Sequence, residues 1–126
     1  MLIPEDLRYS PNHEWARVED GQIRFGITDF AQDALGDVVY VDLPPVNASF
    51  EQDARVGEIE STKSVSELYV PVAGVIVEVN SALSNQTELI NRDPYGDGWL
   101  GLISPTDVAQ FDSLLSPSQY RELTTE

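Results

Sequence analysis

Cysteine is absent from this 126-residue sequence, which excludes disulfides, thiol nucleophiles and cysteine-based metal sites. His13 is the only histidine, so metal sites built from several histidines are excluded as well. No apolar run approaches the roughly 20 residues that span a bilayer. The first six residues look like neither a signal peptide nor a transit peptide. We therefore expect a cytoplasmic protein, with a chain length that suits one domain.

Positive charge is also scarce. The chain has 7 basic and 22 acidic residues, which gives a formal net charge of −15. A field of that sign repels phosphate backbones and anionic lipids, so neither nucleic acid nor a membrane is expected as a partner. Partners with basic docking surfaces are favoured instead. Six of the seven basic residues are arginines, and Lys63 is the only lysine.

The pattern of apolar residues indicates a mainly β core. Asp20-Gly21 lies between two alternating stretches, 16–19 and 22–27, and predicts a β-hairpin. Further strands are predicted, in chain order, at 38–43, 56–60, 65–72, 75–79, 88–91 and 99–103. The residues 61–64 are polar and predict a turn between two of these strands, and 81–87 predicts a loop.

Two helical regions are predicted outside the strands. One follows the first hairpin, with Asp29 as its cap, Gly36 just past its end, and an apolar face made of Phe30, Ala31, Ala34 and Leu35. The other lies in the tail, where apolar residues recur at helical spacing after Pro105. There Ser116 with Gln119 predicts a capping box, and Pro117 suits the first helical position.

A weak internal repeat is present. The stretch 36–41 aligns with 74–79, and each is followed by a polar loop and a short apolar segment. Two such units predict half-sheets related by a pseudo-twofold axis. The alternative is that any two valine-rich strands after a glycine look alike.

No catalytic constellation emerges from these residues. A nucleophilic triad would depend on His13 as its base, and we favour a structural histidine packed against Trp15 and hydrogen-bonded to backbone. With 22 acidic residues, carboxylate pairs arise by chance, and phosphate-binding glycine loops are absent. We predict no catalytic residues and no metal ligands.

Lys63 is the one residue whose placement stands out, because it lies at a predicted hairpin tip near Glu58, Glu60 and Glu67. A primary amine is what amide-forming modification requires, and arginine does not supply it. A Schiff-base role would need a buried pocket around the lysine, which a polar turn flanked by carboxylates does not offer. A merely solubilising lysine is the other alternative.

The residues also match a known family. The chain resembles the glycine cleavage system H proteins, which are lipoyl carriers. The matching motifs run in order over nearly the whole chain and include His13-Glu14-Trp15, Gly26-Ile27-Thr28-Asp29, the stretch 35–41, Glu60-Ser61-Thr62-Lys63-Ser64-Val65-Ser66, Leu89-Ile90-Asn91 and Pro94-Tyr95-Gly96-Asp97-Gly98-Trp99.

The resemblance implies a barrel-sandwich hybrid fold with two small antiparallel sheets and short N-terminal and C-terminal helices. It implies a single lipoyl-carrier domain over 1–126, with a β core at about 16–103 and a C-terminal helical segment at about 105–123. It also implies that lipoate is covalently attached to Lys63 by a lipoate-attaching enzyme.

The resemblance further implies a non-catalytic role in glycine cleavage. The pyridoxal-phosphate glycine decarboxylase, or P protein, loads an aminomethyl group on the arm. The tetrahydrofolate-dependent T protein removes it, and the L protein, a dihydrolipoyl dehydrogenase, reoxidises the arm. The loaded arm folds into a cleft in which Glu14 and Glu67 are expected to hold the amine. For Glu14 the alternative is an exposed charge beside a structural tryptophan.

Other functions compete with this one. An H-like protein that relays lipoate to other enzymes would use the same lysine. Biotin carriers usually place methionine on both sides of the lysine, where this chain has Thr62 and Ser64. Lipoyl domains of 2-oxoacid dehydrogenases are usually joined to Ala/Pro-rich linkers, which this chain lacks. An enzyme acting alone would turn over glycine without the P protein.

Overall fold

The computed structural model describes residues 1–125, which form two antiparallel sheets with short helices around them. The nine strands are, in chain order, β1 Arg8–Tyr9, β2 Glu14–Glu19, β3 Gln22–Ile27, β4 Val38–Asp42, β5 Ser49–Phe50, β6 Arg55–Ser61, β7 Val65–Tyr69, β8 Gly74–Val79 and β9 Gly101–Pro105. The α-helices are α1 Asp29–Leu35, α2 Glu88–Arg92, α3 Ala109–Asp112 and α4 Pro117–Thr124, and a 3₁₀ helix spans Ser81–Ser84.

The sheets differ in size. One has six strands in the order β1-β2-β3-β9-β8-β5, and the other has three in the order β4-β6-β7. The mainly β class and the two antiparallel sheets are therefore confirmed. The two repeat segments form β4 and β8, which lie in different sheets. The pseudo-twofold relation between them stays a prediction.

The predicted hairpin is β2–β3, with Glu19 opposite Gln22. Asp20 and Gly21 both have positive φ, 52° and 80°, as a tight two-residue hairpin turn requires. A second hairpin, β6–β7, brings Glu60 opposite Val65 around the turn at 61–64. This second hairpin carries Lys63.

The main core lies between the sheets. Leu68, Val70 and Val72 are each 1% exposed, which agrees with the single apolar face expected for this stretch. A second, smaller core joins the two ends of the chain and contains Leu7, Tyr9, Trp15 and Tyr120. Here β1 pairs with β2, and Tyr9 also bridges to Leu115 in front of α4.

Some local predictions were wrong. The residues predicted as a strand at 88–91 form α2, because two adjacent apolar residues, Leu89 and Ile90, do not distinguish the two periods. The loop at 81–87 contains the 3₁₀ helix. The cap of α1 is Thr28 rather than Asp29, since the Thr28 hydroxyl accepts from the Ala31 N–H at 3.1 Å.

The helical predictions otherwise agree with the structure. Gly36 ends α1 with a φ of 84°. Ser116 and Gln119 form the reciprocal capping box of α4, and Pro117 is its first residue. The helix nearest the N-terminus is α1, because none of the residues 1–28 is helical. None of the helices in residues 1–125 has the length and apolar character needed to cross a bilayer.

Candidate functional site

Lys63 lies at the tip of the β6–β7 hairpin and is exposed. The turn is closed by the Ser61 N–H, which donates to the Ser64 carbonyl at 2.8 Å. The Ser61 hydroxyl oxygen accepts the N–H groups of Lys63 and Ser64 at 3.3 and 3.1 Å. The Thr62 N–H donates to the Asp37 carbonyl at 3.0 Å, which ties the tip to the segment before β4. The lysine is thus presented on a rigid base.

The side chain of Lys63 lies over Gly36. A Cβ at position 36 would be 3.2 Å from Cε and 3.8 Å from Nζ of the lysine. The backbone of Gly36 has φ 84° and ψ −160°, a region that is essentially restricted to glycine. The glycine that ends α1 therefore also makes room for the lysine stem.

A cleft of about 300 Å³ opens beside the hairpin. One wall is α1, which contributes Phe30, Ala31, Ala34 and Leu35, the same four residues that the sequence predicts as its apolar face. The lining also includes residues 64–67, from the end of the turn and β7, and the segment 12–14. The cleft is thus apolar on the helix side and bears carboxylates elsewhere.

Glu14 is the buried carboxylate of this cleft. It is 1% exposed, so the alternative of an exposed charge beside a tryptophan is wrong. The Ser10 hydroxyl donates to its Oε1 at 2.6 Å, and the Tyr69 N–H donates to its Oε2 at 3.4 Å. Burial raises the pKa of Glu14 to about 8, although both hydrogen bonds oppose that shift.

Glu67 lines the same cleft from β7 but differs from Glu14 in exposure. Its side chain is 46% exposed and forms an ion pair with Nε of Arg55. Arg55 also contacts Glu58 at 3.2 Å. The structure therefore places Glu14 and Glu67 around one cleft whose lining also includes Ser64, the residue after Lys63.

His13 also lines the cleft, and its contacts differ from those expected. Its ring packs against Phe30 with centroids 4.8 Å apart, and its Nδ1 lies 2.8 Å from the Tyr120 hydroxyl. Trp15 pairs instead with Tyr95 and donates from Nε1 to the Pro94 carbonyl at 2.9 Å. The prediction of a histidine packed on Trp15 and bonded to backbone was therefore wrong.

Two residues at the site were not predicted from the sequence. Ser10 precedes Glu14 by four residues in an irregular stretch, where no periodicity marks it. Tyr120 contacts His13 across 107 positions of sequence, in a helix predicted only as a packing element. Long-range contacts of this kind leave no local pattern in a single sequence.

Comparisons with known proteins identify the family of this chain. The model of the family described as "Glycine cleavage H-protein" matches residues 7–126. Glycine cleavage system H proteins of Geobacillus sp. (strain WCH70) and Bacillus subtilis (strain 168) are each 47% identical over 126 residues, which cover 100% of this chain and 99% of the relative.

A solved structure of a glycine cleavage system H protein has a similar fold. The crystal structure of a glycine cleavage system H protein from Mycobacterium marinum superposes with a TM-score of 0.87 at 42% identity. The match covers 94% of this chain and 96% of that one. On both sequence and structure, this chain belongs to the glycine cleavage H-protein family.

Proposed function

We propose that this protein is the lipoyl carrier of a glycine cleavage system, with lipoate joined to Nζ of Lys63. The observation that carries the proposal is the position of the chain's only lysine, which is exposed at a rigid hairpin tip beside a cleft of about 300 Å³. The amide bond needs a primary amine that an attaching enzyme can reach, and Lys63 offers one.

The residues around Lys63 fit such a group. The space over Gly36 accommodates the lysine stem, which a Cβ at that position would crowd. The apolar wall of α1 suits a hydrocarbon arm, and the buried Glu14 offers one acceptor deep in the cleft. When bound, lipoate supplies a dithiolane on a mobile arm, which gives the cargo a high effective concentration at each partner.

The cargo is an aminomethyl group that the carrier receives from the P protein and delivers to the T protein. The L protein then restores the oxidised arm. The chain supplies no acid or base to those reactions and acts as one carrier domain, 1–126, in the cytoplasm. Its partners are these three proteins and the enzyme that attaches lipoate.

Glu14 holds the amine of the cargo in the cleft. With a pKa of about 8, its carboxyl is mainly protonated at neutral pH when the cleft is empty. An ammonium group beside it favours the carboxylate and lowers that pKa, so loading the cleft releases the proton from Glu14. The resulting charge-assisted hydrogen bond forms in a site shielded from water.

Glu67 contributes a second, weaker acceptor. Its carboxylate is shared with Arg55 and is half-exposed, so water screens its attraction for a cation. Its place on β7 puts this charge at the side of the cleft that continues from the lysine turn. We assign Glu67 to guiding the amine toward Glu14 rather than to holding it.

Lys63→Arg tests the proposal. The variant keeps the positive charge and the fold but cannot form the lipoyl amide, so glycine cleavage reconstituted with P, T and L proteins falls to background. The double variant Lys63→Arg/Arg121→Lys restores one lysine at a helix and should stay inactive. Retained activity in either variant would refute the assignment of Lys63.

A second assay on the same samples distinguishes a glycine cleavage carrier from a lipoate relay protein. A relay protein passes the lipoyl group itself to another enzyme, whereas a glycine cleavage carrier keeps it through repeated turnovers. We expect Lys63 to remain lipoylated after many cycles of glycine cleavage. Loss of the group to an acceptor protein at a comparable rate would favour the relay.

A further inference from the structure

The hydroxyl group of Tyr120 connects the segment 12–14 of the cleft lining to the start of α1. It is fully buried, and it lies 2.8 Å from Nδ1 of His13 and 2.7 Å from Oγ1 of Thr28. His13 lines the cleft, and Thr28 caps α1, which forms its apolar wall. The ring of Tyr120 is held in place by stacking on Tyr9, with centroids 4.6 Å apart.

Counting protons gives this chain of hydrogen bonds a direction. Thr28 Oγ1 already accepts the Ala31 N–H, and within residues 1–125 the only acceptor for its own proton is the Tyr120 oxygen. The Tyr120 proton is then directed to Nδ1 of His13. The reverse direction would leave the proton of Thr28, a residue with 0% exposure, without an acceptor.

Two consequences follow for His13. Its Nδ1 accepts, so the single proton of the neutral ring is on Nε2. A second proton on Nδ1 would leave the proton of the buried Tyr120 hydroxyl without an acceptor. Burial acts in the same direction, because it lowers the pKa of His13 and raises that of Tyr120, which favours the uncharged form of each group.

We propose that Tyr120 is a positioning residue that holds His13 neutral, with its proton on Nε2, so that the cleft accepts a cationic amine without a second cation beside it. This inference rests on the proposed function, since the cationic cargo is part of that proposal. It adds a role for the C-terminal helix, which otherwise lies outside the cleft.

The charged and titratable groups around His13 support this role. Glu14 follows it in the chain, Glu67 faces the cleft from β7, and α4 contributes the Tyr120 hydroxyl. The helix α1 presents Phe30 and Ala31, which carry no charge. When an ammonium group enters the cleft, Glu14 becomes the carboxylate that faces it, and a protonated His13 ring would cancel part of that attraction.

Nitrogen NMR of the imidazole ring tests the first half of the proposal. His13 is the only histidine, so ¹⁵N-histidine labelling reports on one ring in the full chain. We expect a pyridine-type Nδ1 and a pyrrole-type Nε2 in the wild-type protein at neutral pH, with or without lipoate. A pyrrole-type Nδ1 or a doubly protonated ring would overturn the proposal without any variant.

Tyr120→Phe tests the second half and is compared with Tyr9→Phe. The control also removes one buried hydroxyl from the terminal core, where it bonds the Pro4 carbonyl at 2.7 Å, but Tyr9 does not touch His13. We expect only Tyr120→Phe to raise the pKa of His13. In the loaded carrier, the same variant should release the cargo about tenfold faster near pH 5.5 but nearly normally near pH 7.5.

Two results would mean that Tyr120 is only structural and would overturn the proposal. One is that Tyr120→Phe accelerates cargo release by the same factor at both pH values. The other is that Tyr9→Phe has the same effect as Tyr120→Phe. If the wild-type protein shows the expected tautomer but cannot be lipoylated or loaded, the carrier function fails instead. If loading is normal and the tautomer is wrong, only the role of Tyr120 fails.

Discussion

At the scale of single residues, Glu14 carries an identifiable cost for the fold. Its carboxyl pKa is about 8 in the folded protein, above the ordinary value near 4.5. A raised acid pKa means that the folded state binds this proton more tightly than the unfolded state does. The free energy of unfolding therefore loses a contribution as pH rises from about 4.5 to 8, at up to about 1.4 kcal/mol per pH unit.

Glu14→Gln tests this cost, because the amide does not ionise. We expect the free energy of unfolding of the variant, relative to that of wild type, to increase as pH rises from about 5 to 8. Above about pH 8 the difference should stay constant. Urea unfolding of both proteins at each pH measures the difference in their free energies of unfolding. The effect of the other carboxylates cancels in this difference, because both proteins contain them. A difference that does not vary with pH would show that Glu14 has an ordinary pKa.

The same variant tests the role of Glu14 toward the cargo. Loss of a charge-assisted hydrogen bond in a shielded site should shorten the lifetime of the loaded carrier by roughly tenfold or more. Glu67→Gln is the matched control and should have a smaller effect, because its carboxylate is exposed and shared with Arg55. Both variants should be lipoylated normally. Equal lifetimes in wild type and Glu14→Gln would remove Glu14 from the site.

At the scale of elements, the junction between α1 and β4 supports the lysine hairpin. Gly36→Ala places a Cβ in a backbone region restricted to glycine and 3.2 Å from Lys63 Cε. We expect a loss of about 1 to 3 kcal/mol in the free energy of unfolding and slower lipoylation of the lysine. Gly21→Ala is the control, since its Cβ would meet nothing within 4 Å. It should lose stability but be lipoylated at the normal rate.

Elements with a strong local signal were predictable from the sequence. The hairpin at Asp20-Gly21 and the capping box of α4 depend on turn and cap chemistry within a few residues. α2 was not predictable, because its stability comes from distant partners. Thr87, just before it, donates to the Val38 carbonyl at 2.9 Å, and Asn91 donates to the Gly36 carbonyl at 2.8 Å.

The site was predictable to a similar degree. Lys63 stands out by residue type and position alone, and the family resemblance singled out Glu14 and Glu67. The burial of Glu14 and the contact between His13 and Tyr120 were not predictable, because both depend on residues distant in sequence, namely Tyr69 for Glu14 and Tyr120 for His13. Such contacts depend on tertiary packing, which local propensities do not encode.

At the scale of the whole molecule, the net charge of −15 should govern encounters with partners. The proposed lipoylation of Lys63 would remove one positive charge and make the chain more negative still. We expect association with the P protein to slow by roughly tenfold between low salt and about 0.3 M salt, since steering acts over the Debye length. Stopped-flow measurement over a salt series gives the slope of the association rate against salt concentration.

The outer face of the three-stranded sheet should contribute most to that slope. Asp42 pairs directly with Glu58, and Glu60 lies two residues further along the same strand, toward the lysine turn. Neutralising these three residues should flatten the salt dependence. Neutralising Asp107, Asp112 and Glu122, in the C-terminal segment, should change it less. Equal effects would assign steering to total charge rather than to this face.

The mass of the intact protein from its native host shows whether Lys63 carries a lipoyl group. We predict a single lipoyl-sized increment that peptide mapping assigns to Lys63, and no increment in the Lys63→Arg variant. An unmodified Lys63 in cells that grow on glycine with lipoate available would contradict the proposed attachment.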